Sequence, residues 1–233
     1  MKQKDRIALI MRDMPQTGHF YVLNIVALLF IIGILIGLTF RPRIGELDTT
    51  VYALVKQWHT ALHAPFVDAI ALFFTNLANV EVIVTLLIMA VVLLYRKKRH
   101  HAAQALIASV FTSIVLVQSI KFAIDRVRPE PFISAADTFG MSFPSGHAFV
   151  AIVFYGTVAY IIGHHIKKKK RRWLVYNSAQ ALVWLIALSR LWLGVHWLSD
   201  VVAGMILGGL LLWVIVAFYT YNKPREPLFA LWK

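Results

Sequence analysis

The stretch "LANVEVIVTLLIMAVVLLYRKKR", residues 77–99, decides the fold. From Leu77 to Tyr95 it is almost wholly apolar, and it stops abruptly at Arg96-Lys97-Lys98-Arg99. Crossing a hydrocarbon core about 30 Å thick takes roughly 20 helical residues. A block of Lys and Arg at one end marks the cytoplasmic side of such a helix. The stretch therefore reads as a membrane-spanning helix that ends in the cytoplasm.

Outward from it the same pattern recurs. Apolar runs at about Phe20 to Phe40, Ala102 to Ile124, Ala148 to His164, Trp173 to Leu188 and Val201 to Tyr221 bring the expected count to six transmembrane helices. The first follows Lys2, Lys4, Arg6 and Arg12 and is too long for a signal-peptide core, so it is expected to be retained. The fold class is all-α, a polytopic membrane protein of one domain over residues 1–233, with both termini on one side. A 59% hydrophobic, 15% charged composition and a mean hydropathy of +0.69 exclude an ordinary soluble domain.

The formal charge of +13 would by itself suit nucleic acid or anionic lipid. Its distribution argues for topology instead. Of the 24 Lys and Arg, 17 lie in the two tails, in 96–99 and in 167–172. Those segments are expected to be cytoplasmic and the intervening loops to face outward, with the bilayer, not nucleic acid, as partner. Cysteine is absent, which removes thiolate nucleophiles and cysteine-ligated metals. The first outer loop, roughly Arg41 to Asn76, is expected to form two short helical segments divided by Pro65, with Asp48 as an N-cap. Both are too polar to span and are expected to lie at the interface, with Trp58, Phe66, Phe73 and Phe74 as apolar anchors.

Three constellations fall at the outward helix ends. In "KFAIDRVRP", Lys121 to Pro129, Lys121 and Arg128 stand seven apart on nearly one helical face while Pro129 disfavours helix at Arg128, so two cations point at one place. Alone, they could equally snorkel to headgroups. In "SFPSGHAF", 142–149, Pro144-Ser145-Gly146 launches a helix whose free N–H groups and dipole suit a phosphate, with His147 in its first turn able to hand over a proton. Alone, that is also an ordinary capped turn. In "SRLWLGVHWLSD", Ser189 to Asp200, His196 and Asp200 are spaced i, i+4. A carboxylate there can fix the imidazole tautomer and leave the other nitrogen free, while Arg190 offers a fork for phosphate oxygens. Loop charge, counted without regard to the motifs, places all three on one side.

Taken together, K-x6-RP, PSGH and SR-x5-H-x3-D in this order resemble the signatures of the phosphatidic acid phosphatase type 2 superfamily of membrane lipid phosphatases. The match runs from Lys121 to Asp200 with every signature position filled. The resemblance implies that His196 attacks phosphorus to form a phosphohistidine, that Asp200 orients it, and that His147 protonates the leaving oxygen and then activates water. It implies that Lys121, Arg128, Arg190, Ser145 and Gly146 hold the phosphoryl oxygens, and that no metal or other cofactor is needed. The expected substrate is a lipid phosphate or diphosphate, of the undecaprenyl diphosphate, phosphatidylglycerol phosphate or phosphatidic acid class, hydrolysed at the outer face of the cytoplasmic membrane.

A transporter or flippase of phosphorylated lipids would use the same cations, but has no use for a free imidazole backed by Asp200. The outer-loop carboxylates are scattered, without the clustering of a two-metal site. Oligomeric state is not written in the sequence.

Overall fold

The computed structural model describes residue 28 and residues 31–33, 44–62, 64–133 and 140–222. Seven helices are delimited: α1 Ile44–Leu62, α2 Pro65–Asn76, α3 Val80–Arg96, α4 His100–Ile124, α5 Gly146–Gly163, α6 Lys169–Trp192 and α7 Leu198–Asn222. No strand occurs among the described residues. Helices α4, α5, α6 and α7 are long and apolar enough to cross a membrane, and α2 with α3, bent by 49° at their junction, make a fifth if counted as one span. The expected first span, Phe20 to Phe40, lies largely outside the described residues. Its described positions are helical, and Ile32 packs on the core.

The core belongs to α5. It packs against α4, α6 and α7, and around it Leu116, Val117, Ile120, Phe149, Val153, Leu207 and Leu211 form one buried cluster. Lipid tails are as apolar as leucine, so spans associate by close packing rather than by hydrophobic expulsion. Glycine supplies that closeness here. A Cβ on Gly204 of α7 would lie 2.6 Å from the Ser145 carbonyl oxygen, and one on Gly208 would lie 2.3 Å from Ile152 Cγ2. Gly204 and Gly208 form a G-x3-G pair on the face of α7 that meets α5. Gly204→Ala is expected to lower the detergent-solubilised protein's stability by about 1–3 kcal/mol. Gly209→Ala, whose Cβ would stand 3.7 Å from Ile152 Cδ1, should be tolerated. Thermal unfolding of the two variants checks this, and equal midpoints would show that α7 can shift freely.

The long helices alternate in direction, which sorts the loops by end. At one end the α4 terminus, the α5 start, the α6 terminus and the α7 start meet: Lys121 Nζ donates to the Met141 carbonyl, and Ser145 N–H donates to the Asp200 carbonyl at 3.0 Å. At the other end Tyr160 and Thr220 share a 2.7 Å hydrogen bond, and Leu106, Ile161 and Tyr219 cluster. The basic runs 96–99 and 167–172 adjoin this second end.

Pro65 divides the first loop as expected, giving α1 and α2. Asp48 does not cap α1. It lies one turn inside that helix, fully buried, and caps α7 instead: its Oδ1 accepts the Ser199 N–H at 2.9 Å. The correction has a simple cause. An orphan N–H at a helix start can be satisfied by any nearby carboxylate, and α1 lies across the start of α7.

Candidate active site

Each motif reaches the pocket by its own local device. Helix α4 ends at Ile124 because Asp125 takes the left-handed conformation at φ 45°. Lys121 is therefore helical, but Arg128 is not. The two do not share a helical face, and the expectation from Pro129 holds instead: Arg128 lies in the non-helical segment 125–130, which carries it to the site. Arg128 is fixed there by hydrogen bonds from Nε to the Gly140 carbonyl at 2.9 Å and from Nη1 to the Val195 carbonyl at 3.0 Å. Gly146 opens α5, so Ser145 stands at its N-cap, yet its hydroxyl makes no capping bond. The first bond closing the helix runs from Phe149 N–H to the Ser145 carbonyl, which leaves the amides of 146–148 ahead of the ladder.

His196 lies in the turn between α6 and α7, not on a helix. That turn needs φ +70° at Gly194, and a Cβ there would strike the Phe132 ring at 2.8 Å. The imidazole is nonetheless fully specified. Arg128 Nη1 lies 3.0 Å from Nε2. A guanidinium can only donate, so Nε2 is the acceptor and keeps its lone pair. Nδ1 then carries the hydrogen and faces Asp200 Oδ2 at 3.3 Å.

Asp200, fully buried, is held from four directions. Ser142 Oγ donates to it, the Trp197 N–H donates at 2.9 Å from the start of α7, and Arg126 Nη1 donates at 2.8 Å. His196 is the fourth. Arg126 also binds Asp48 at 2.5 Å, so one guanidinium ties α1 to the carboxylate behind His196. Ser199 Oγ completes this network, 2.6 Å from both Arg126 Nη1 and Asp48 Oδ2.

Arg190 ends α6, almost wholly buried. Its Nη1 donates to Thr75 Oγ1 of α2, while its Nε and Nη2, like Ser145 Oγ, are buried without a hydrogen-bond partner. His147 Nε2 lies 2.8 Å from Asn79 Oδ1. The charges of Arg190, Arg128 and Lys121 act on both imidazoles, and His196 acts on His147. All eight residues singled out by the sequence thus lie at one end of the bundle, and Lys121, Arg128, Arg190, His147 and His196 share one field. Among the described residues no group of three or more His, Asp or Glu side chains is arranged to hold a metal ion. The residues missed are Arg126, Ser142, Asp48, Thr75 and Asn79. The first two sit inside the quoted motifs. The other three come from α1, α2 and the residue before α3, where nothing in the residue spacing marks them.

Burial first, and then the charges of Arg190, Arg128 and Lys121, hold His196 well below the ordinary imidazole value of 6.5. Between the folded and unfolded values the unfolded chain binds more protons. Stability therefore falls as pH drops below about 6.5. The thermal midpoint is expected to fall more steeply between about pH 7 and 5 in the wild type than in His196→Gln. Parallel curves would refute a neutral imidazole at this position.

Fold and site together define a helical membrane protein with a cationic, two-histidine pocket at one end of its bundle. The chain belongs to the PAP2 superfamily, whose family model matches residues 102–224. It is 36% identical over 108 residues to phosphatidylglycerophosphatase B of Bacillus subtilis, covering 46% of this chain and 53% of that one. It is 32% identical over 108 residues to an undecaprenyl-diphosphatase of Sulfolobus acidocaldarius, covering 44% and 48%. The chain thus spans about half the length of the curated relatives it matches. Its fold is similar to the crystal structure of a transmembrane PAP2-type phosphatidylglycerolphosphate phosphatase from Bacillus subtilis, with a TM-score of 0.74 at 24% identity over 86% of this chain and 98% of that one. LpxE of Aquifex aeolicus follows at a TM-score of 0.53 and 24% identity, over 75% and 95%.

Proposed function

We propose that this chain hydrolyses phosphate from membrane lipid phosphates or diphosphates through a phosphohistidine on His196. The observation that carries the reading is the set of buried donors without partners, Arg190 Nε and Nη2 and Ser145 Oγ, in a pocket with two imidazoles and two further cations. Buried polar groups are almost always satisfied, and a phosphoryl group offers the oxygens these donors need. The free amides at the start of α5, around Gly146, add to them.

His196 Nε2 attacks phosphorus while the bond to the lipid oxygen breaks, and His147 gives that oxygen a proton. Water then attacks the phosphohistidine, His147 takes its proton, and the P–N bond breaks to release phosphate. Asp200 holds the Nδ1–H tautomer and stabilises the imidazolium-like charge that develops as Nε2 bonds phosphorus. Lys121, Arg128 and Arg190 stabilise the equatorial oxygens in both steps. The chemistry asks for no metal.

The positive-inside distribution supports six spans with cytoplasmic termini, a first loop lying at the interface, and a pocket at the outer face of the cytoplasmic membrane. Exposed Trp58 and Phe66 on α1 and α2 fit that interfacial placement. The names of the two curated relatives support phosphatidylglycerol phosphate and undecaprenyl diphosphate as substrates, with phosphatidic acid the third lipid to test.

The experiment is a panel of these three lipids in mixed micelles with purified protein and released phosphate measured. At least one should be turned over, and EDTA should leave the rate unchanged. Loss in EDTA restored by magnesium would overturn the metal-free reading. Binding of all three with no phosphate released would favour a transporter.

A further inference from the structure

We infer that Asn79, at the break between α2 and α3, is a positioning residue that holds His147 in the Nε2–H tautomer and so directs its Nδ1 to the proton transfer. The inference rests on the phosphatase reading above. Asn79 lies before the segment 102–224 that the family model matches, so its role is argued from geometry alone.

Two observations carry it. Asn79 occupies the N-cap of α3, the position at which an asparagine side chain normally binds its own helix, yet it makes no capping bond. A capping bond stabilises a helix start, and here the side chain is turned away from it. Its Oδ1 instead lies 2.8 Å from His147 Nε2. The direction of the amide follows from its other end, because Nδ2 donates to Asn76 Oδ1 at 3.1 Å. With its oxygen toward the imidazole, Asn79 can only accept. Nε2 must therefore carry the hydrogen in the neutral ring, which leaves the proton that moves in catalysis on Nδ1.

The same break holds a second group of the site, for Thr75 at the end of α2 accepts from Arg190. The bend between α2 and α3 thus sets an acid and a cation in place together.

Losing orientation of a general acid is felt in proportion to how poorly the leaving group departs. An alkoxide leaving from a monoester needs the proton, whereas a phosphate leaving from a diphosphate needs it far less. Asn79→Leu keeps the volume and removes the acceptor. Its kcat on phosphatidic acid is expected to fall roughly tenfold or more, with kcat on undecaprenyl diphosphate falling less than about threefold and KM for both within about twofold. Asn79→Asp puts a carboxylate on Nε2–H, favours the imidazolium, and should move the alkaline limb of kcat on the monoester to higher pH. Asn79→Gln should recover part of the monoester rate.

Equal losses on both substrates, or an unmoved alkaline limb in Asn79→Asp, would overturn the inference and leave Asn79 a structural residue. A second measurement does not use turnover. The nitrogen-15 shifts of His147, assigned by difference from His147→Ala, should report Nε2–H in the wild type and its loss in Asn79→Leu. Nδ1–H in the wild type would sink the inference even if the enzyme is active. Absence of wild-type turnover on every lipid, with Nε2–H confirmed, would sink the phosphatase reading instead.

Discussion

His196→Ala is expected to abolish phosphate release from every lipid substrate while the protein still folds and binds. A nucleophile removed from a two-step displacement leaves only binding and charge stabilisation, and comparable losses elsewhere reach several orders of magnitude. Folding should survive because the imidazole makes few strong bonds of its own: Asp200 lies 3.3 Å from Nδ1 and keeps Ser142, Trp197 and Arg126 as partners without it. The measurement is released phosphate per turnover beside a thermal midpoint in detergent. Wild-type turnover by a folded His196→Ala protein would remove the phosphohistidine from the mechanism. A phosphate-labelled wild type, trapped by alkaline quench, in which a P–N bond survives, and absent in the variant, would place the covalent bond on this residue.

Arg126→Leu is expected to act the other way, through structure first. The guanidinium bridges Asp48 and Asp200, whose side chains are 1% and 0% exposed. Removing it strands two buried carboxylates in a low-dielectric bundle end, and breaking such a pair by losing one partner costs about 3 kcal/mol or more. The thermal midpoint should drop sharply, and with it the seating of α1 over the start of α7. Asp48→Asn in the same chain should recover part of the loss, because it removes one stranded charge while its amide oxygen can still accept from Ser199. A midpoint unchanged in Arg126→Leu would show that solvent reaches these carboxylates.

The two variants separate what a motif position does from what its neighbour does. Arg128 and Arg126 stand two apart in "DRVRP", in the non-helical segment after α4. Arg128 faces His196 and Arg126 faces the carboxylate behind it. Both therefore serve the same imidazole from opposite ends, one at Nε2 and one through Asp200.

The long helices α4, α5, α6 and α7 and the placement of the motif residues were legible in the sequence because each is a local matter. A run of apolar residues fixes a membrane helix by length alone, and alternating loop charge fixes which helix ends lie together. That is why Lys121, Ser145, His147, Arg190, His196 and Asp200 could be gathered at one end from spacing and charge. The helical-face part of the Arg128 argument did not hold because Asp125 ends α4 with a left-handed residue, whereas the expectation that Pro129 keeps Arg128 out of the helix did. The i, i+4 argument for His196 reached the right partner by the wrong geometry, since α7 begins only at Leu198 and the imidazole sits in the turn before it.

What only the tertiary structure decided is which polar groups from α1, α2 and the α2–α3 break complete the site. Asp48, Thr75 and Asn79 lie far from the motifs along the chain, and each looks like a common cap or helix residue. In a bundle end shielded from water a donor or acceptor left without a partner is costly. The partner is set by which helix crosses which: α2 packs against the end of α6, and α1 lies across the start of α7. Sequence thus determined which residues could do the chemistry, and packing determined which others hold them still.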